Sequence, residues 1–133
     1  MDEALSALDP SSRQTVELLL AVISNLDGKG VGALFESDGQ FSGALSAGTF
    51  RGRAIIESHC VQVFKRLPRG TVLVGPITVL DRQVVIDWCI TIPEEASFTP
   101  VPATWTVLLG PSGLVQSLRS EWNPAFLSKP PQS

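Results

Sequence analysis

Among 133 residues there is no tyrosine, one histidine, one methionine and two cysteines. The missing tyrosine removes every phenolic proton donor before any motif is considered. One histidine and two cysteines argue against a zinc site of His and Cys, because such sites take three or four ligands. Charge is sparse as well: 10 Lys and Arg against 13 Asp and Glu leave a formal net charge of −3. Nucleic-acid binding rests on a clustered basic footprint that replaces condensed counterions. The densest basic stretch, Lys65-Arg66-Leu67-Pro68-Arg69, is short and interrupted, and suits the C-terminal end of a helix. No apolar run approaches the ~18–20 residues of a membrane span. The first residues, Met1-Asp2-Glu3, lack the positive n-region of a secretory signal. Cys60 and Cys89 are expected as free, buried thiols in a reducing compartment. The expectation is a cytoplasmic domain with neither a nucleic-acid nor a membrane partner.

What is present is a chain able to build a core, since 44% of it is hydrophobic. Its length fits one domain, with a core over about residues 10–127 and a frayed tail over 128–133. Asp9-Pro10 has the form of an N-cap followed by proline in the first turn. Val16, Leu19, Leu20 and Ile23 then recur with the spacing of an amphipathic helix. Val31, Leu34 and Phe35 suggest a second, short helix, and Asp27-Gly28-Lys29-Gly30-Val31-Gly32 is expected to be a loose link. That run is no phosphate loop, because no strand precedes it and no Lys-Ser/Thr follows. A weak strand and loop fill Gly39 to Arg53. A third helix is expected over Arg53–Leu67, with Ile56, Cys60, Val63, Phe64 and Leu67 as its buried stripe and Pro68 and Gly70 ending it.

Beyond Gly70 the pattern turns to period two. Strands are expected over Thr71–Leu80 and Gln83–Ile92, reversed at Asp81-Arg82, and over Ala103–Leu109 and Leu114–Trp122, reversed at Gly110-Pro111-Ser112-Gly113. Pro93 to Pro102 is expected to be a loop. Helices followed by hairpin-linked strands argue for α+β, an antiparallel sheet wrapped over the helices. Ile86, Trp88 and Ile90 share one strand face, as do Ala103, Trp105 and Val107, and Leu118, Ser120 and Trp122. All three tryptophans can therefore point one way. Burying one indole removes ~200 Å² from water, worth roughly 5 kcal/mol, so they can fill a core or line a cavity. The opposite faces carry Asp87, Cys89, Thr91, Thr104, Thr106, Ser117, Arg119 and Glu121, chemistry suited to water or to a homodimer formed through the sheet.

Four stretches carry a resemblance to a known superfamily: Leu34-Phe35-Glu36-Ser37-Asp38, Phe50-Arg51-Gly52-Arg53-Ala54-Ile55, Gly75-Pro76-Ile77, and Ser117-Leu118-Arg119-Ser120-Glu121-Trp122-Asn123-Pro124. Over roughly Thr15 to Leu127 the chain resembles the nuclear transport factor 2-like proteins, which include the ketosteroid isomerases and the SnoaL-like polyketide cyclases. The resemblance implies a cone-shaped, cystatin-like α+β fold with three helices packed on a curved antiparallel sheet. It implies little about activity, because this fold hosts isomerases, cyclases, epoxide hydrolases and non-enzymes. By the same resemblance, the isomerases' catalytic aspartate falls at Gly43, and their tyrosine and protonated aspartic acid fall at Leu19 and Trp105. Chemistry by that route is therefore not expected. Near the end of the last strand, where the cyclases tend to carry an acid, this chain has Asn123, and an amide is no general base near pH 7.

His59 remains. The resemblance puts it on a pocket-facing position of the third helix, and an unperturbed pKa of about 6.5 suits proton transfer. The alternative is a histidine at the edge of the core stripe. Asp38 is a second candidate, as the water-orienting carboxylate of an epoxide hydrolase or cyclase, against a plain Asp-Gly turn at Asp38-Gly39. Ser120 shares the inner face and could orient a carbonyl, but no triad accompanies it. With these residues, the resemblance implies an isomerase or cyclase of the SnoaL-like kind for a small apolar polyketide- or terpenoid-like molecule. The substrate would lie among Leu19, Phe35, Ile86, Trp88, Trp105, Leu118, Ser120 and Trp122, with no cofactor and no metal. The competing expectation is a non-catalytic ligand-binding or dimerisation module.

Overall fold

The computed structural model describes residues 3–43, 48–66, 70–91 and 101–122. Most of the expected loop, Pro93 to Pro100, lies outside the described residues, as do the tail over 128–133, Leu67, Pro68 and Asn123. The first helix, α1 (Pro10–Ser24), starts as its sequence demands. Asp9 Oδ2 accepts from Ser12 N at 3.3 Å and from Ser11 Oγ at 2.8 Å, and Pro10 fills the first turn, where no N–H is needed. Hydrogen bonds from the Ser12 side chain, then the Ser11 side chain and the Ser12 backbone, pull the Asp9 carboxyl down to about 2. Val16, Leu19 and Ile23 are buried, and Leu20 packs against them.

The glycine-rich run after α1 is a helix, not the loose link its composition suggested: α2 spans Gly28–Ala33, capped by Asp27 Oδ1 accepting from Gly30 N at 3.1 Å. Tertiary packing overrides the poor helix propensity of glycine here. A Cβ on Gly28 would stand 2.5 Å from the backbone of both Cys60 and Val61. Only glycine lets α2 lie this close to α3 (Arg53–Lys65). That helix ends two residues before the expected Leu67, with Ile56, Cys60 and Phe64 buried. Phe35, expected in the second helix, opens strand β1 (Phe35–Gly43) instead. The remaining strands are β2 (Thr49–Arg51), β3 (Thr71–Leu80), β4 (Gln83–Thr91), β5 (Val101–Leu109) and β6 (Val115–Trp122). Val101 and Pro102, expected as the end of a loop, therefore belong to β5, where they pair with β4.

The six strands form one sheet in the order β2-β1-β6-β5-β4-β3. Every pairing is antiparallel except β1 with β6, which is parallel. The expected reversals hold: Asp81 turns the chain at φ 56°, and Gly113 at φ 89° closes the β5–β6 hairpin. Val74 and Ile77 flank a register shift that contains Gly75-Pro76, which places proline where no ladder donor is required. The helices cover the inner face, and Ile86, Trp88, Ile90, Ala103, Trp105, Val107, Leu118 and Ser120 on that face are all buried. Asp87 is on the other face, accepting from Thr104 Oγ1 at 2.8 Å. A short turn of tight helix over Glu3–Ala7 precedes α1, and Leu5 and Leu8 are buried in the same core, so the packed region begins before residue 10. Cys60 is buried, and burial pushes its thiol up to about 12; Cys89, expected buried, is partly exposed on the outer face.

Candidate functional site

Three inner-face strands and α3 deliver a connected set of rings. Trp88 on β4 and Trp105 on β5 stand edge to face, centroids 5.6 Å apart, and Phe64 from the end of α3 contacts both, at 6.3 and 6.4 Å. Phe41 on β1 meets Trp105 edge-on at 6.2 Å and Phe35 at 6.4 Å. The cluster follows from strand parity, because Phe35 and Phe41 are buried on β1 as the tryptophans are on theirs. Trp105 is 1% exposed and Trp88 2%. Leu19, Phe35, Ile86 and Leu118 are buried around them. Trp122 pairs with Ala103 in the ladder, and its side chain lies outside the described residues.

His59 joins the far side of this set. Its ring stacks on Phe50 at 4.0 Å and 18°, and meets Phe41 edge-on at 5.3 Å. Phe41 thus touches both His59 and Trp105. Burial pushes the His59 pKa below its usual value, since a charged imidazolium is poorly solvated between two phenyl rings. The neutral ring, able to accept a proton, is therefore the dominant form near pH 7. Asp38 is elsewhere. It sits, exposed, in the irregular stretch of β1 between Phe35 and Gln40, where a strand replaces the expected turn.

The interior also brings together two polar groups whose juxtaposition sequence patterns do not reveal. Ser120 on β6 and Trp105 on β5 are directly opposed in the ladder, and Ser120 is 1% exposed. Neither Ser120 Oγ nor Trp105 Nε1 has a hydrogen-bond partner among the described residues. Buried polar groups are paired in the great majority of cases, and an unpaired one costs about 1–3 kcal/mol. Two such groups on adjacent strands leave an indole N–H and a hydroxyl side by side, both free to donate to a third group. Gly43 pairs with Ser120 from the other side. A Cβ built on Gly43 would meet Ser120 Cβ and Phe41 Cε1 at 3.6 Å, an ordinary contact distance. The resemblance makes Trp105 the loss of a carboxylic-acid donor, yet its indole N–H is itself a donor. Among the described residues, the buried polar side chains are Ser12, Thr15 and Ser120, with no carboxylate among them. No three His, Cys, Asp or Glu side chains converge among the described residues, and no described helix is long and apolar enough to cross a membrane.

No family model and no curated protein matches the sequence. Solved structures match the fold. A steroid delta-isomerase from Pseudomonas aeruginosa superposes with a TM-score of 0.72 at 14% identity, covering 90% of this chain and 85% of that one. A putative SnoaL-like polyketide cyclase from Jannaschia sp. CCS1 gives 0.70 at 19% identity, covering 92% and 98%. A nuclear transport factor 2-like protein of unknown function from Cytophaga hutchinsonii gives 0.67 at 13% identity, covering 92% and 98%. The fold is that of the nuclear transport factor 2-like superfamily, a cone of helices on a curved sheet.

Proposed function

We propose that this chain is an isomerase or cyclase for a small, largely apolar carbonyl compound held against the inner face of the sheet. The observation that carries the reading is the buried pair Trp105 Nε1 and Ser120 Oγ, both able to donate and neither paired among the described residues. A carbonyl oxygen supplies the missing acceptor, and aromatic rings on three sides suit an apolar body. His59, neutral and partly buried, takes a proton from the carbon next to the carbonyl. The C–H electron pair becomes the enolate double bond, and the oxyanion accepts from Trp105 and Ser120. Where the substrate is β,γ-unsaturated, the enolate is a dienolate, and the imidazolium returns the proton to its γ-carbon as the double bond moves into conjugation, which is isomerisation. Alternatively the enolate carbon attacks a second carbonyl of the same molecule, whose oxygen takes the proton, which is cyclisation. General acid/base action contributes about 10²–10⁴-fold, and a donor aimed at a developing oxyanion about 10²–10³-fold.

Propionyl-dimethylaminonaphthalene (prodan), a neutral aromatic ketone, tests this by exchange of its α-protons in deuterium oxide, followed by proton NMR. The wild type accelerates exchange, and His59→Gln loses about 10²-fold or more while binding the ketone as before. Equal exchange in both proteins overturns the role of His59. A specific observation favours a second reading, a non-catalytic binding module: His59 is wedged between Phe50 and Phe41 as a packing element would be. Under that reading His59→Gln lowers stability and leaves every exchange rate at the buffer value.

A further inference from the structure

A cleft of about 680 Å³ opens on the surface where the α1–α2 corner faces the end of α3 and the start of β3. Its walls include Leu26, Asp27, Lys29, Val61 and Lys65, and Phe64 forms part of its lining. Phe64 is also the ring that contacts Trp88 and Trp105, so one side chain touches both the cleft and the interior aromatic set. The corner is held open by fixed geometry. Leu26 adopts φ 50°, and Gly28 is pressed against the α3 backbone.

The charges around the cleft are unequal. Asp27 is engaged as the α2 cap, accepting from Gly30 N at 3.1 Å. Several carbonyls at the two helix ends that face an incoming anion are already occupied: Ala21 O, Val22 O and Ile23 O accept from Asn25, Asp27 and Leu26, and Val63 O accepts from Arg66. Lys29 and Lys65 are exposed and make no ion pair among the described residues.

We propose that this cleft is the entrance to the interior and an anion subsite, with Lys29 and Lys65 binding a carboxylate or similar acidic head while the apolar body passes Phe64 to reach Trp88 and Trp105. The inference rests on the interior site proposed above and gives its substrate a class: an apolar molecule carrying one acidic end. Lysine suits this task, because its long stem lets the ammonium follow a head group that enters and leaves.

Two probes differing in one group separate the elements of the proposal. Anilinonaphthalene sulfonate carries an anion, and N-phenyl-naphthylamine is its neutral counterpart. Nuclear Overhauser contacts from the probe rings to the Trp88 and Trp105 indoles, which vanish beyond a few ångströms, report arrival of either probe inside. The double variant Lys29→Gln/Lys65→Gln weakens the sulfonate about five- to ten-fold at low salt, and changes the neutral probe less than about two-fold. Raising salt from ~0.01 to ~1 M, which shortens the Debye length from about 30 to 3 Å, removes the wild-type preference. Phe64→Ala, with Phe64→Leu as the milder change, speeds association of both probes. If both probes reach the tryptophans but the lysine variant binds the sulfonate as well as the wild type does, the anion subsite is overturned and the interior site stands. Unchanged association rates in both Phe64 variants overturn the entrance. If neither probe makes Overhauser contacts to Trp88 or Trp105, the interior site and the entrance fall together.

Discussion

Replacing Ser120 by alanine distinguishes a binding site from ordinary packing. A buried serine whose hydroxyl is paired loses a hydrogen bond on truncation and destabilises its protein. Ser120 Oγ has no partner among the described residues, so Ser120→Ala removes a desolvated group that costs about 1–3 kcal/mol unpaired. The void left by one oxygen gives back at most about 1 kcal/mol. The net expectation is a gain of about 1 kcal/mol. A 133-residue chain at ~2.1 cal/mol/K per residue has an unfolding entropy near ~0.28 kcal/mol/K, so the gain raises Tm by ~4 °C. Thr15→Val is the internal control. Thr15 is also buried, but its Oγ1 donates to Ser11 O at 3.2 Å, and its loss should cost about 1 kcal/mol. Urea unfolding read by tryptophan emission and by far-UV circular dichroism gives both values, with the m-value unchanged. A Ser120→Ala protein destabilised as much as Thr15→Val would refute the argument, because the hydroxyl would then have a partner in the resting protein. A stabilised but ligand-blind variant is the trade expected where function keeps a local structural cost in place.

Burial depresses the His59 pKa in the fold, so the unfolded chain binds the proton more readily. The His59 contribution is therefore complete above the unfolded value of ~6.5 and is lost as pH falls from there through the folded pKa. Urea midpoints between about pH 8 and 5 should fall more steeply for the wild type than for His59→Gln, and parallel curves would contradict the assigned burial. Gly28→Ala should cost about 1–3 kcal/mol or more, since the new methyl meets α3 backbone atoms at 2.5 Å. Gly43→Ala, with its nearest contact at 3.4 Å, should be tolerated or slightly stabilising, as thermal melts would record.

The fold was largely legible because most of its signals are local. Asp9-Pro10 starts α1, the α1 stripe is buried as spaced, and the period-two strands carry Trp88 and Trp105 to the inner face. What escaped depends on contacts distant in the chain. Nothing local marks Gly28 to Gly32 as a helix; the helix forms because its glycines can approach α3, more than twenty residues away. The parallel β1–β6 pair joins Phe41 to Leu118, and no turn signal announces such a pairing. Phe35 sits at a helix–strand boundary, where a short apolar run is ambiguous between the two periods. The candidate site divides in the same way. Ser120 was visible by parity as a residue able to orient a carbonyl. Its opposition to Trp105 arises only from strand register, and that neither has a partner among the described residues shows only in the fold. Phe50 and Phe41 as the two faces of His59 were invisible as well, because β1, β2 and α3 meet only in the folded chain.

The central claim is that the opposed donors Trp105 Nε1 and Ser120 Oγ hold a carbonyl oxygen. The carbonyl stretch of bound prodan, measured by infrared difference spectroscopy, tests it without assuming a reaction. The account predicts a lower frequency than in an apolar solvent, partly restored in Ser120→Ala and further restored in Trp105→Phe/Ser120→Ala. A bound ketone whose carbonyl frequency matches the apolar solvent, and is the same in wild type and both variants, would contradict it.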